Sequence, residues 1–237
     1  VTFTKRAAVE MRERLTALGV PRVQARTFHS AALRQLQYFW PSAIGGSMPP
    51  LIEHKASLIS AAAARIGIRA DKALVRDLAA EVEWSKVSML DADAYAEAVR
   101  ANRRTPPGDL SVDDVLALMD AYQEAKEDRG VLDFEDVLVL TAGILQDYPA
   151  IAQRIHRQYR SFVVDEYQDV SALQHHVLNL WLGGRHDICV VGDVAQTIYS
   201  FAGASPRYLQ DFAQEHKGAR VVQLVRDYRS TPQIVSA

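Results

Sequence analysis

Ala8, Met11, Leu15 and Leu18 recur at three- and four-residue steps, which places them on one stripe of a helix. Gly19 and Pro21 stop that helix. A short strand over residues 23–28 then leads into a second helix carrying Leu33, Leu36 and Phe39. Residues 41–50 are rich in Pro, Gly and Ser and read as a loop. From Leu51 to Gly130 the pattern predicts helices only. Ala-rich stretches alternate there with turn signals at Gly67 and Thr105-Pro106-Pro107-Gly108. Ser111 and Asp114 make a capping-box pattern, with Asp in place of Glu or Gln, ahead of a stripe of Val115, Leu118, Met119 and Tyr122. Gly130 ends that helix.

Beyond Gly130 the periodicity changes. Residues 132–145 predict a helix with a mixed face. Phe162-Val163-Val164 and Ile188-Cys189-Val190-Val191 are short apolar runs leading to the acids Asp165 and Asp193, and Arg220 to Val225 is a third run, leading to Asp227. Apolar runs separated by helical patterns predict central strands of a parallel sheet. The economical arrangement is one α/β domain interrupted by an all-helical insertion, over about residues 35–129.

Composition adds little to this. Hydrophobic residues make up 49% of the 237 and charged residues 24%, ordinary for a globular protein. No apolar run reaches the length of a membrane span, and no secretory pattern follows Val1, so no membrane partner and a cytoplasmic setting are expected. Cys189 is the single cysteine, so no disulfide can form within the chain. The seven histidines lack ligand spacing. The net charge of −2 gives no bulk attraction to a polyanion. Its distribution is uneven: residues 1–34 carry seven bases against Glu10 and Glu13, whereas residues 109–147 carry eleven acids against Lys126 and Arg129. One end can face phosphates and the other cannot, although charge runs also serve as solvated helix faces.

The chemistry concentrates after the apolar runs. In Phe162-Val163-Val164-Asp165-Glu166-Tyr167-Gln168-Asp169, two acids follow a strand end, where ligands of open parallel sheets bind. Asp165 there can hold magnesium on nucleotide phosphates, and Glu166 can orient an attacking water. Acids at such positions also serve as helix caps. In the run from Val191 to Ala204, Gln196 can place an amide against a terminal phosphate. Tyr199 and Phe201 can stack bases from a loop, or else fill a core. In Asp227-Tyr228-Arg229-Ser230-Thr231-Pro232, Arg229 can act as a phosphate-directed finger or as half of a surface ion pair.

Taken in order, these segments resemble the motifs of the UvrD/Rep/PcrA helicases of superfamily one. Residues Val1 to Ala8 resemble motif Ia, and Thr27-Phe28-His29-Ser30 resembles motif Ib. Leu132-Asp133-Phe134-Glu135-Asp136-Val137-Leu138 is similar to the segment preceding the Walker B strand. Asp165 to Asp169 matches motif II, Gly192 to Ala204 motif III, and Asp227 to Thr231 motif IV.

The resemblance implies a RecA-like parallel-sheet motor domain of the P-loop NTPase class with a helical insertion. Residues 1–34 and 130–226 would form domain 1A, residues 35–129 subdomain 1B, and residues 227–237 the start of domain 2A. It implies ATP and magnesium as cofactors, and single-stranded DNA and its junctions with duplex as partners. The protein would unwind duplex by moving 3′-to-5′ along a single strand, in repair or replication, and would be nucleoid-associated when working. Asp165 takes the magnesium position, Glu166 the water-activating one, Gln196 the contact coupling phosphate state to DNA grip, Arg229 the finger, and Tyr228 the ring near adenine. Phe3, Lys5, Thr27, Phe28, His29, Tyr199 and Phe201 fall where the family meets DNA. The other readings are the motor of a RecB/AddA-type helicase-nuclease and a catalytically dead DNA-binding module.

Three spellings depart from the family. Lys5-Arg6 stands for Asn-Lys, Ala202 for an arginine, and Asp227 for an asparagine. No Gly-Lys-Ser or Gly-Lys-Thr occurs in the 237 residues, so the phosphate-binding loop is expected to lie outside them, and the polypeptide is expected to be a fragment without ATPase activity.

Overall fold

Capping side chains set most of the helix starts. In a computed structural model, which describes residues 1–20 and 22–224, Thr4 accepts from the Ala7 amide at the head of α1 (Lys5–Ala17). Thr27 and Ser30 form a capping box on α2 (Phe28–Ala43). After α3 (Ala56–Arg65), Asp71 caps α4 (Lys72–Val87) and Asp91 caps α5 (Ala92–Arg100). The Ser111–Asp114 box expected from the sequence caps α6 (Val112–Arg129), and Gly130 closes that helix in the left-handed conformation. Helices α7 (Asp136–Asp147), α8 (Pro149–Gln158) and α9 (Ala172–Leu182) complete the main framework. Among the described residues, no helix is long and apolar enough to cross a membrane.

Two strands, β1 (Phe162–Val164) and β2 (Ile188–Val190), pair in parallel, with Phe162 opposite Ile188. The extended N-terminal residues continue this sheet. The Asp165 amide donates to the Val1 carbonyl, and the Val1 amine donates to Val163, which is a parallel pattern. Thr2 then bridges Thr27 in parallel. The order across the sheet is therefore Thr27, Thr2, β1, β2, with α2, α7 and α9 packed together beside it. Phe28, Leu138, Tyr167, Val177 and Trp181 are core residues on this side. A second core of Leu58, Ile59, Leu78, Leu118 and Tyr122 lies within the helical unit.

Four expectations change. The run Arg220–Leu224 is not a strand, and Val225 lies outside the described residues. No described backbone pairs with that run, and an unpaired strand gains no ladder, so Val222 and Leu224 stay exposed. The strand expected over 23–28 shrinks to the bridge at Thr27. Helix α2 runs through Pro41 into the expected loop. Residues 35–43, expected to open the insertion, sit on the α/β side, because Phe39 joins that core and Gln35 accepts from the Trp181 indole. The helical unit begins instead near Leu51, which bridges Leu132 in parallel, so the outgoing and returning chains are zipped together.

A buried ionic network fastens the helical unit to the rest. Lys126 of α6 donates to Asp136 (2.5 Å), and Lys86 of α4 donates to Asp133 (2.6 Å) and Asp136 (2.8 Å). Asp133 and Asp136 also accept each other's backbone amides, and the Tyr122 hydroxyl donates to Asp133. Burial pushes the Asp133 carboxyl up, but Lys86 and Lys126 outweigh it and hold the group well below the usual carboxylate range. Burial likewise drives Lys126 down, and the neighbouring Lys86 adds to this.

Removing one partner leaves an uncompensated buried charge. Asp133→Asn is expected to lower the unfolding free energy by about 3–5 kcal/mol in denaturant titrations. Because the folded pKa of Asp133 is depressed, its stabilisation is present above its unfolded value and lost as pH falls through the folded one. The difference between wild type and Asp133→Asn should therefore shrink below about pH 4. An unchanged difference there, or a stable variant, contradicts the network's role.

Candidate functional site

At the carboxyl end of β1 the chain turns sharply through Asp165 and Glu166. Glu166 is exposed and sits at φ 53°, ψ 44°, a left-handed conformation that costs a non-glycine residue about 1–3 kcal/mol. The strained turn leaves the Glu166 side chain in solvent, one residue after the half-buried Asp165. The Asp165 carboxylate makes no hydrogen bond among the described residues.

Gln168 links this turn to the end of β2. Its side chain is buried, donates to Glu166 Oε2 (2.9 Å), and accepts from the Asp193 amide (3.0 Å). Gly192 makes that approach possible: a methyl group there would stand 2.6 Å from Gln168 Oε1 and 3.1 Å from the Tyr167 amide. Asp193 in turn accepts from the Ala195 amide and from Gln196 Nε2, both at 2.9 Å, and these bonds hold its carboxyl below the usual range. Gln196 is thus exposed and oriented, with its side-chain carbonyl unbonded among the described residues. No bond joins Gln196 directly to Asp165 or Glu166; the connection runs through Gln168 and Asp193.

Asp169 anchors the same loop from below. Buried at 5% exposure, it accepts from the Ile198 amide (3.3 Å). Burial pushes its carboxyl up, against the pull of the Ile198 and Tyr199 amides. The loop then presents rings. Tyr199 stacks on Phe3, with centroids 5.0 Å apart, and Phe201 follows at 6.3 Å from Tyr199. Phe201 is 72% exposed, which excludes the core reading of that ring. Lys5 is exposed in the first turn of α1, beyond Phe3.

The motif Ib residues behave differently from expectation. The Thr27 hydroxyl is occupied as the cap of α2, and the Phe28 ring is buried against Trp181, so neither side chain offers a surface to DNA. His29 lies flat on Phe134, with ring centroids 3.9 Å apart. Burial, and then the nearby Lys55 charge, lower its pKa to about 4. At neutral pH it is an uncharged ring, not a phosphate-binding cation. Tyr228 and Arg229 lie outside the described residues.

Sequence reasoning did not single out Gln168, Asp169 or Gly192, and took Asp193 only as the acid that ends the second strand beside the first site. All four stand inside the quoted motifs, but burial and the long-range bond from Gln168 to Asp193 leave no periodic trace. For a metal, among the described residues no three His, Cys, Asp or Glu side chains gather as a cluster. One free carboxylate at a strand end suits magnesium, which proteins usually hold through one or two carboxylates plus substrate phosphates.

Comparison with known proteins gives the family. Residues 1–217 match the model of the UvrD/REP helicase N-terminal domain. The chain is 50% identical over 248 residues to the ATP-dependent DNA helicase UvrD2 of Mycobacterium tuberculosis, covering 100% of the chain and 35% of that relative. It is 32% identical over 255 residues to the ATP-dependent DNA helicase UvrD1 of Mycobacterium leprae, covering 100% of the chain and 32% of the relative. Against the ATP-dependent DNA helicase PcrA of Leuconostoc citreum the identity is 30% over 244 residues, with 100% and 31% covered. The chain thus spans about a third of the length of these curated relatives. With the paired acids after β1, the bridged loop after β2 and a family match over most of the sequence, the chain belongs to the UvrD/REP helicase N-terminal domain family.

Proposed function

We propose that this chain is the greater part of the first motor domain of an ATP-dependent DNA helicase, built on a RecA-like sheet with the helical unit as subdomain 1B. The observation that supports this best is the single relay from Glu166 through Gln168 to Asp193 and on to the loop bearing Gln196 and Phe201. A hydrolytic carboxylate and a base-stacking ring then share one piece of backbone, so a change at one is felt at the other.

In this reading Asp165 holds magnesium on the nucleotide, and the ion when bound neutralises phosphate charge. Glu166 orients a water toward the terminal phosphate and accepts its proton, helped by a turn that already leaves its side chain in solvent. Gln168 keeps that carboxylate in one rotamer. Gln196 offers its amide to a phosphate oxygen. Arg229 completes the charge stabilisation from the facing side, and Tyr228 packs beside the base. Phe3, Tyr199 and Phe201 form a ring surface for unpaired bases, and Lys5 supplies a backbone charge. Work on DNA places the protein at the nucleoid of a bacterial cytoplasm, serving repair or replication.

Glu166→Gln in the full-length protein should retain ATP and DNA binding while phosphate release falls about a hundredfold or more. Turnover near wild type counts against the assignment. The 237 residues alone, which contain no Gly-Lys-Ser or Gly-Lys-Thr, should release no phosphate in the same assay. On partial duplexes, unwinding is expected with a 3′ tail and not with a 5′ tail; the reverse preference defeats the polarity. Phe201→Ala should weaken single-strand binding by about 1–3 kcal/mol without changing the thermal midpoint, since its ring packs little. Undiminished binding by that variant removes Phe201 from the strand surface.

A further inference from the structure

The aromatic loop does not stand free of the helical unit. Beyond Phe201 the chain turns at Gly203, φ +90°, and this turn lies against the last turn of α4. A methyl group at position 203 would stand 2.7 Å from Val87 Cγ2 and 3.3 Å from Ser88 Oγ, with Trp84 Cδ1 at 3.8 Å. The left-handed φ and the close approach both demand glycine there. On its other side the turn is tied to the segment after β1. Ala204 bridges Ser171 in the antiparallel sense, and the Ser205 amide donates to the Val170 carbonyl.

The surface that α4 offers is itself rigid. The Arg104 guanidinium lies 4.3 Å over the Trp84 ring. The same guanidinium makes hydrogen bonds of 2.6 Å and 2.9 Å to the buried carboxylate of Glu81, which also accepts from Tyr95. Because Phe201 is mostly exposed, packing does little to orient its ring, and the backbone of residues 199–204 must do so. That backbone has Asp169 below the Ile198 amide and α4 against Gly203.

We infer that the last turn of α4, through Trp84 and Val87, is the seat that fixes the Phe201 loop for stacking on an unpaired base, with Gly203 the residue that lets the loop reach it. The inference rests on the stacking role proposed for Phe201. Trp84 and Val87 are positioning residues: they touch the loop and not the strand. A loop without its seat must be ordered at the moment of binding, and affinity falls by that ordering cost. The helical unit thereby sets the grip on a single strand through a contact remote from it.

The test uses the full-length protein and an oligothymidylate carrying one 2-aminopurine, with binding and base stacking both read by fluorescence. Val87→Ala should weaken binding about fivefold, the lower end of the loss for one stacked base, and reduce the stacking signal, with the thermal midpoint little changed. Val87→Ile should restore both. In a Phe201→Ala background, Val87→Ala should have no further effect. Gly203→Ala acts from the loop side and should give the same loss with the same dependence on Phe201, which covers the case of a Val87 variant that folds poorly. Losses of equal size with and without the Phe201 ring overturn the inference, as does a silent Val87→Ala beside an active Phe201→Ala. A silent Phe201→Ala overturns the stacking reading and this inference with it, and is told apart by that single variant.

Discussion

Lys126 and Asp133 are 2% and 0% exposed, and neither could remain charged at such depth without the other. With Lys86 and Asp136 they form a closed set of two cations and two anions, in which each carboxylate also accepts a backbone amide. The set joins α4, α6 and the start of α7, which come from the two sides of the molecule. An apolar joint could slide; this one has a single geometry in which every charge is met. The position of α4 follows from it, and so does the surface against which Gly203 and the aromatic loop rest.

The second constraint is the turn after β1. A left-handed Glu166 persists only because its surroundings over-determine it. Gln168 supplies the decisive bond, and Gly192 supplies the space for Gln168. The two constraints meet in residues 193–204, held by Gln168 and Asp169 from the sheet and by α4 from the helical unit. That segment is short, largely exposed and rich in exposed chemistry, as expected of a functional loop placed by a rigid scaffold.

Several predicted features required only local information. The stripe of Val115, Leu118 and Tyr122, the Ser111–Asp114 box and the stop at Gly130 reappear in α6 because helix periodicity and capping act within one or two turns. The runs at Phe162 and Ile188 pair in parallel as expected, but Val163 is 54% exposed and Cys189 is exposed too, so one face of the pair, expected to be covered, is open among the described residues. The first helix forms with its expected stripe, yet only Ala8 is buried and Leu18 is 77% exposed, because nothing described covers that face.

The amino-acid order by itself determined most of the helices, the strand pair, the motifs in their sequence and the adjacency of Asp165 and Glu166. Tertiary structure alone decided which side chains reach solvent and which reach one another. Phe28 and His29 are adjacent, yet one is core and the other a neutral ring stacked on Phe134. Lys86 meets Asp133 across 47 residues, Gln168 meets Asp193 across 25, and Gly203 meets Val87 across a still longer separation. Periodicity records which face of an element turns inward, but not what it turns toward. Those pairings arise only when separate elements pack, and burial then sets their charge states.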